Sequence, residues 1–106
     1  MKIELAKTEI IHFVGIGGIG MSGLSLIMKG MGFKVQGSDV SNNKNIERLK
    51  RNKIKISIKH IKKNIKNATI LVVSSAIKRN NPELIQARKN GLSYPKIPTK
   101  LLKISK

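Results

Sequence analysis

The fold of this chain is decided by residues 12–23, which read HFVGIGGIGMSG. This segment holds five of the nine glycines in the chain, and it overlaps the end of a short apolar run at residues 10–14. An apolar run that ends in glycines is typical of a buried strand that enters a tight turn. We therefore expect a strand at residues 10–14, followed by a glycine turn.

The residues after this turn predict a helix and then a second strand. The apolar residues recur at the i, i+3, i+4 and i+7 spacing of one helix face, and they are Leu24, Ile27, Met28 and Met31. Gly32 stands where a glycine commonly ends a helix. Residues 33–38 then read as a strand. A strand, a helix and a second strand in this order form a βαβ unit, in which the two strands are parallel.

The rest of the chain continues the alternation of strands and helices. The further predicted elements are a helix over 44–52, a strand over 53–58, a buried strand over 68–73, a helix from Pro82 to about Gly91 and a fifth short strand over 93–97. At 106 residues the chain can build one hydrophobic core. We therefore predict a single small α/β domain with a Rossmann-like, doubly wound parallel sheet of about five strands. Ligands bind such sheets outside the carboxyl ends of the strands.

Composition limits the classes of function. The net charge is +17, which keeps a basic nucleic-acid-binding protein as one alternative. The most basic segment, residues 43–66, has ten Lys or Arg and one Glu, but it contains no aromatic residue that could stack on bases. The lysines also accompany isoleucine and asparagine, which share A/T-rich codons. We therefore interpret this segment as a solvated basic surface rather than a nucleic-acid site.

The same composition bears on localisation. The chain has no cysteine, which excludes disulfides and thiolate metal sites. Its apolar runs are far shorter than the ~20 residues of a membrane-spanning helix, so no membrane partner is predicted. Residues 1–9 read as a polar leader without the apolar block of a secretory signal. These features predict a cytoplasmic protein.

The glycines match a phosphate-binding pattern. Gly15, Gly17 and Gly20 satisfy G-x-G-x-x-G between a predicted strand and a predicted helix. In this pattern the first glycine permits the turn, the second lets the backbone approach a diphosphate, and the third lets helix and strand pack closely. Asp39 follows Gly20 by nineteen residues, where a carboxylate for ribose hydroxyls is expected. The pattern predicts a nucleotide-like diphosphate and leaves its identity open.

Longer segments resemble the N-terminal domain of the Mur ligases. They are HFVGIGGIGMSG at 12–23, GSD at 37–39, VVSSAI at 72–77 and NNPEL at 80–84, within a resemblance that runs from about residue 10 to residue 102. This resemblance implies a domain that holds the UDP part of UDP-N-acetylmuramate rather than NAD. It points to the branch of the family that joins L-alanine to this substrate in peptidoglycan precursor synthesis, an ATP-dependent amide bond formation.

The resemblance also implies the residues of the site. They are Gly15, Gly17, Gly18, Ile19, Gly20, Ser22, Asp39, Ser74, Ser75 and Ala76. The backbone of the glycine segment would cradle the diphosphate, Asp39 would face the uridine ribose, and residues 74–76 would line the opposite wall. His60 is a further candidate, although Lys59 replaces the glycine of a Gly-His pair that the family shows there. No catalytic residue and no metal ligand is implied.

One expected part of the family is absent from these 106 residues, the GTHGKT-type P-loop that handles ATP and magnesium. We therefore expect residues 10–98 to form the UDP-sugar-binding domain and residues 99–106 to begin a linker to an absent ATP-binding domain. The chain alone would bind no cofactor and would show no ligase turnover. A separate chain that carries the remaining ligase domains and a truncated remnant are the two arrangements left open.

The main alternative function is an NAD-binding module of an oxidoreductase or a sensor. It explains the glycines and Asp39 equally well. It leaves the SSAI segment at 74–77 and the NPE segment at 81–83 unexplained. These two segments therefore favour the UDP-sugar interpretation.

Overall fold

The computed structural model describes residues 6–92 and the backbone of residues 96–97. Its elements are β1 (Ile10–Val14), α1 (Ile19–Gly30), β2 (Lys34–Ser38), α2 (Lys44–Arg51), β3 (Lys55–Ser57), a 3₁₀ helix (Lys62–Ile65), β4 (Ile70–Ser74), α3 (Pro82–Lys89) and β5 (Lys96–Ile97). Part of the predicted leader, residues 1–5, and the predicted linker at 99–106 lie outside the described residues.

The strands form one parallel sheet in the order β3-β2-β1-β4-β5. β1 pairs with β2 on one side and with β4 on the other, and each of these pairs is parallel. β2 and β3 are therefore added in turn on one side of β1. The chain then crosses to the other side of β1, where it forms β4. This reversal confirms the predicted doubly wound sheet and places its switch point between β1 and β4.

The sheet separates two hydrophobic clusters, because successive side chains of a strand point to opposite faces. One cluster joins the sheet to α1 and α2 and includes Ile11, Phe13, Leu24, Val35, Ile46 and Val72. The other joins the sheet to α3 and the 3₁₀ helix and includes Val14, Ile65, Leu71, Val73 and Leu84. Helices thus cover both faces, as the apolar strand β4 predicts.

β2 can lie close to the turn after β1 because residue 37 is glycine. A Cβ atom at Gly37 would lie 2.5 Å from Cδ1 of Ile16 and 2.8 Å from the carbonyl oxygen of Phe13. The N–H groups of Gly15 and Ile16 donate to the carbonyl oxygen of Ser38 at 2.9 and 3.1 Å. The turn after β1 is therefore tied to the carboxyl end of β2.

The helix ends follow the local signals in the sequence. Asn81 caps α3 by accepting a hydrogen bond from the N–H of Glu83 at 2.9 Å, and Pro82 takes the first helical position. Gly32 and Gly91 follow α1 and α3 with positive φ angles of 95° and 69°. In the part of the chain that the structure describes, no helix has the length and apolar character needed to span a membrane.

Candidate functional site

The candidate site lies at the switch point of the sheet. Two turns leave the sheet at this point, one after β1 and one after β4. The turn after β1, residues 15–18, is called the glycine loop below. The two turns are in contact, since a Cβ atom at Gly15 would lie 3.2 Å from Cδ1 of Ile77 and 3.6 Å from Cβ of Ser74. The structure thus brings together two of the segments from which the site is predicted.

Helix α1 begins at this crevice without a side-chain cap. Gly18 is the N-cap residue, and the first turn contains no acidic residue. The first hydrogen bond of the helix runs from the N–H of Ser22 to the carbonyl oxygen of Gly18 at 2.8 Å. Within residues 6–92, no acceptor contacts the N–H groups of Ile19, Gly20 and Met21. Three free donors and the positive end of the helix dipole form a site that suits an anion.

The N–H groups of the glycine loop itself are already bound. Those of Gly15 and Ile16 bind the end of β2, and that of Gly18 donates to the carbonyl oxygen of Gly15 at 3.3 Å. The free donors therefore lie at residues 19–21, at the C-terminal end of the predicted cradle and one residue beyond it. Sequence reasoning missed Met21, because only the observed start of α1 shows which N–H groups are left unpaired.

Asp39 fastens the glycine loop to the end of β2. Its Oδ2 atom accepts a hydrogen bond from the N–H of Gly17 at 2.8 Å, and its Oδ1 atom accepts from the N–H groups of Val40 and Ser41 at 2.8 and 3.1 Å. Asn45 adds a second fastening by donating to the carbonyl oxygen of Gly17 at 3.0 Å. The predicted contact of Asp39 with a ribose stays a prediction, and the structure adds a role in shaping the loop.

The serines of the predicted site have different surroundings. Ser22 is fully buried and donates its hydroxyl to the carbonyl oxygen of Ile19 at 3.1 Å, so the structure does not bring this hydroxyl to the crevice surface. Ser74 is also buried, and its Oγ atom accepts from the N–H of Ala76 at 3.2 Å. Ser75 and Ala76 are exposed beside it. The turn after β4 thus offers an accessible wall held by Ser74.

A buried carboxylate, Glu83, connects several elements on the face of the sheet that α3 covers. Its Oε1 atom accepts hydrogen bonds from Nε2 of His12 and Oγ of Ser38, both at 2.7 Å. Its Oε2 atom accepts from Nδ2 of Asn64 at 2.7 Å and from the N–H of Ile61 at 3.2 Å. Glu83 therefore joins β1, β2, the segment around the 3₁₀ helix and α3.

The environment of Glu83 stabilises its charged form. Burial by itself would raise the pKa of this carboxyl, but the polar side chains around it, first His12 and then the nearby His60 and Asn64, outweigh it and lower the pKa from 4.5 to about 2. Sequence reasoning assigned Glu83 only to the first turn of α3. The NPE segment of the family resemblance is the one signal that could have found it.

His12 belongs to the same cluster and has a defined tautomer. The side-chain amide nitrogen of Gln36 donates to the carbonyl oxygen of Asn64 and to Nδ1 of His12, both at 2.9 Å. Nδ1 is therefore an acceptor, and the ring proton lies on Nε2, which faces Glu83. His12 opens the glycine-rich segment in the sequence, but its role here is to support the sheet.

His60, the further candidate, lies at the carboxyl end of β2. Its Nδ1 atom is 2.9 Å from Oγ of Ser38 and 3.7 Å from Oε2 of Glu83, and its side chain is 12% exposed. The structure thus places His60 between the buried cluster and the surface, although its contact with a ligand stays a prediction.

A separate cavity of about 510 Å³ lies beside β2 and β3 and does not include the glycine loop. Its lining carries Lys55, Lys63 and Lys66, so it is cationic. In the described ranges, no group of three or more His, Asp or Glu side chains is arranged to hold a metal ion. This cavity is separate from the predicted site at the switch point.

Comparisons with known proteins show which family this chain resembles. The model of the Mur ligase family, catalytic domain, matches residues 10–106. The UDP-N-acetylmuramate–L-alanine ligase of Pelagibacter ubique is 81% identical over 88 residues, which cover 83% of this chain and 19% of the relative. The ligase of the same name from Azorhizobium caulinodans is 55% identical over 92 residues, 87% of this chain and 20% of the relative.

Solved structures give the same result. The UDP-N-acetylmuramate-alanine ligase from Thermotoga maritima matches with a TM-score of 0.79 and 32% identity, over 82% of this chain and 20% of that chain. The UDP-N-acetylmuramate:L-alanyl-gamma-D-glutamyl-meso-diaminopimelate ligase from Neisseria meningitides matches with a TM-score of 0.77 and 27% identity, over 83% and 28% of the two chains. This chain thus spans about a fifth of the length of the curated relatives named above.

Proposed function

Because this chain belongs to the Mur ligase family, we propose that it is the domain that binds UDP-N-acetylmuramate in an ATP-dependent ligase that adds L-alanine. The substrate and the amino acid are those in the names of the relatives from Pelagibacter ubique and Azorhizobium caulinodans. On this proposal, residues 10–98 form the substrate-binding domain, and residues 99–106 begin the connection to the rest of the ligase.

The observation that carries the proposal is the set of free N–H groups at residues 19–21. A hydrogen bond to a charged group contributes about 1.5–3 kcal/mol, whereas the dipole of an exposed helix end contributes about 0.3–1 kcal/mol. The three donors, rather than the dipole, would therefore dominate the binding of a diphosphate. Their position at the switch point is the usual place for a nucleotide in this fold.

The neighbouring residues would complete the site. Asp39 holds the glycine loop through Gly17, so that the loop leaves the start of α1 open. Its carboxylate lies at the carboxyl end of β2, where the family resemblance puts the ribose. The exposed residues Ser75 and Ala76 would line the opposite wall, with Ser74 fixing their turn.

The remaining chemistry of a ligase would be supplied elsewhere. On this proposal, the ATP and magnesium site lies in the other ligase domains, in keeping with the lack of a GTHGKT-type P-loop in these 106 residues. This chain's own residues would hold the nucleotide end of the substrate and thereby orient its carboxylate. The partner would be a segment or a separate chain with the other ligase domains.

Calorimetric titration of the chain with UDP-N-acetylmuramate and, separately, with NADH tests the proposal. We expect saturable binding of the UDP-sugar and no binding of NADH. Tight NADH binding without a response to the UDP-sugar would overturn the proposal in favour of the NAD-binding alternative. Alanine-dependent ATP hydrolysis by the chain alone would contradict the assignment of the chemistry to other domains.

A matched pair of variants tests the site. Asp39→Asn removes the carboxylate that accepts from Gly17, and we expect it to weaken UDP-sugar binding at least about tenfold, or about 1.4 kcal/mol. Glu47→Gln makes the same charge change at an exposed position of α2 and is expected to leave binding unchanged. Equal losses in both variants would mean that the contact between Asp39 and the glycine loop does not govern binding.

A further inference from the structure

We propose that Ser38, itself held by Glu83, is a positioning residue that keeps the proton of His60 on Nδ1, so that Nε2 of His60 accepts a hydrogen bond from the nucleotide. The inference rests on the proposed function for the identity of the ligand. Its structural part concerns the protein alone, and it can be tested without a ligand.

The direction of the hydrogen bonds follows from counting protons. The Ser38 hydroxyl has one proton, and it donates this proton to Oε1 of Glu83 at 2.7 Å. An ionised carboxylate only accepts hydrogen bonds, so this direction is fixed. The Oγ atom of Ser38 can then only accept from Nδ1 of His60, which lies 2.9 Å away. His60 therefore carries a proton on Nδ1.

The surroundings of Glu83 keep its carboxylate oriented toward the hydroxyl of Ser38. It is fully buried, and His12, Asn64 and the N–H of Ile61 also donate to its two oxygens. If the carboxylate turned away from Ser38, these hydrogen bonds would be broken. In the described residues, every buried side-chain nitrogen and oxygen has a partner, so the cluster has no unpaired donor that could compete.

The outer nitrogen of His60 remains available. Within residues 6–92, no hydrogen bond to Nε2 of His60 is formed, and the side chain is 12% exposed. The ring lies against Ser38, the last residue of β2, so His60 is at the carboxyl edge of the sheet, where the ligand is proposed. In a neutral imidazole with its proton on Nδ1, Nε2 is an acceptor.

This tautomer selects the chemistry of the contact. A phosphate offers only acceptor oxygens, so it does not pair with the lone pair of Nε2. The donors of a uridine nucleotide are the ribose hydroxyls and the N–H of the uracil ring. The acceptor on His60 thus fits the nucleoside part of the ligand and not the diphosphate, which is left to residues 19–21.

The first test reads the tautomer directly by long-range ¹H–¹⁵N spectra of the chain labelled at its histidines, with His60 assigned from the signal missing in His60→Ala. We expect the proton on Nδ1 in the unchanged chain and a mixture of tautomers in Ser38→Ala. Ser25→Ala is the matched control, because Ser25 is also buried and donates to a backbone oxygen far from His60 in sequence. A proton on Nε2 in the unchanged chain, or an unchanged tautomer in Ser38→Ala, overturns the inference.

The second test is a double-mutant cycle on UDP binding, measured by calorimetry. We expect Ser38→Ala and His60→Ala each to weaken binding about 3–10-fold, and the double variant to bind no more weakly than His60→Ala alone. Additive losses would mean that Ser38 does not act through His60. 3-Methyluridine diphosphate and 2′-deoxyuridine diphosphate then distinguish the uracil N–H from a ribose hydroxyl as the donor.

The two proposals fail in different ways. If the unchanged chain binds neither UDP nor UDP-N-acetylmuramate, the proposed function is overturned together with the ligand contact, while the spectra still decide whether Ser38 fixes the tautomer. If the chain binds UDP but His60→Ala binds it equally well, the proposed function stands and the inference is overturned.

Discussion

Gly18 is the glycine of the glycine loop at which neither the backbone conformation nor the packing requires glycine. Its backbone angles, φ −65° and ψ 153°, are open to any amino acid, and a Cβ atom there would meet nothing closer than 3.7 Å. By contrast, Gly15 has a φ of 82°, and a Cβ atom at Gly17 would lie 2.8 Å from Oδ2 of Asp39. The folded chain therefore does not require glycine at position 18, and the close approach of the proposed diphosphate would account for it.

The first prediction concerns Gly18→Ala. We expect the free energy of unfolding to fall by only about 1 kcal/mol, because the extended backbone at position 18 is open to alanine, although glycine is the better N-cap residue. We expect UDP-sugar affinity to fall at least about tenfold, since the methyl group would stand where the diphosphate must approach the free N–H groups. Thermal denaturation and calorimetric titration measure the two effects.

Gly30→Ala is the control for this prediction. Gly30 lies at the other end of α1, and a Cβ atom there meets nothing within 4 Å. We expect it to leave affinity unchanged and to raise stability slightly, because alanine favours a helix over glycine. If Gly18→Ala binds as well as Gly30→Ala does, the diphosphate does not lie at the start of α1.

At the scale of single residues, the sequence predicted those features of the candidate site that depend on local spacing. The glycines and Asp39 lie together because a strand, a turn and a helix place them there. The inward turn of Ser22 and the free N–H of Met21 were not predictable, because they depend on where α1 begins and on which face it buries. A motif names residues, whereas the free donors follow from the hydrogen-bond pattern.

At the scale of the elements, Glu83 is the link that local signals do not predict. The first turn of α3 is specified by Asn81 and Pro82, and the structure confirms both as cap and first residue. The contact between Glu83 and His12 spans 71 residues of sequence, and it requires the packing of α3 against the sheet. Within residues 6–92, strand and helix bounds were predicted closely, whereas the buried polar cluster was not predicted.

The second prediction concerns the pH dependence of stability. The folded pKa of Glu83, about 2, is below its ordinary value of 4.5, so the unfolded chain takes up a proton first as the pH falls. The stabilisation is complete above about pH 5 and is lost progressively between about pH 5 and pH 2. The difference of about 2.5 pH units corresponds to on the order of 3 kcal/mol.

Glu83→Gln tests this pH dependence. We expect the variant to be less stable than the unchanged chain at pH 7, by an amount that shrinks as the pH approaches 2. Urea denaturation at a series of pH values gives this difference. Glu47→Gln, at an exposed carboxyl, should keep the steep pH dependence of the unchanged chain. A difference between Glu83→Gln and the unchanged chain that stays constant from pH 7 to pH 2 contradicts the assigned pKa.

The whole molecule combines the proposed anion site at residues 19–21 with a general positive field. The net charge of +17 attracts any polyanion over a distance of about 10 Å at moderate salt. The free N–H groups of residues 19–21 act only at contact, and they belong to the backbone rather than to lysine side chains. The field and the site therefore make different contributions, and salt separates them.

The third prediction uses this difference between a field and a contact. A protein that binds DNA through many phosphate contacts loses about 10³–10⁵ in affinity between 50 and 200 mM salt. A UDP-sugar held mainly by three backbone N–H groups should lose less than about tenfold over the same range, because few counterions are released. Calorimetric titration of the UDP-sugar and fluorescence titration of generic duplex DNA, each at several salt concentrations, measure the two slopes.

We expect weak DNA binding at low salt that vanishes at 200 mM. Tight DNA binding that persists at 200 mM, beside a UDP-sugar affinity that collapses there, would show that the lysines and not the start of α1 form the functional surface.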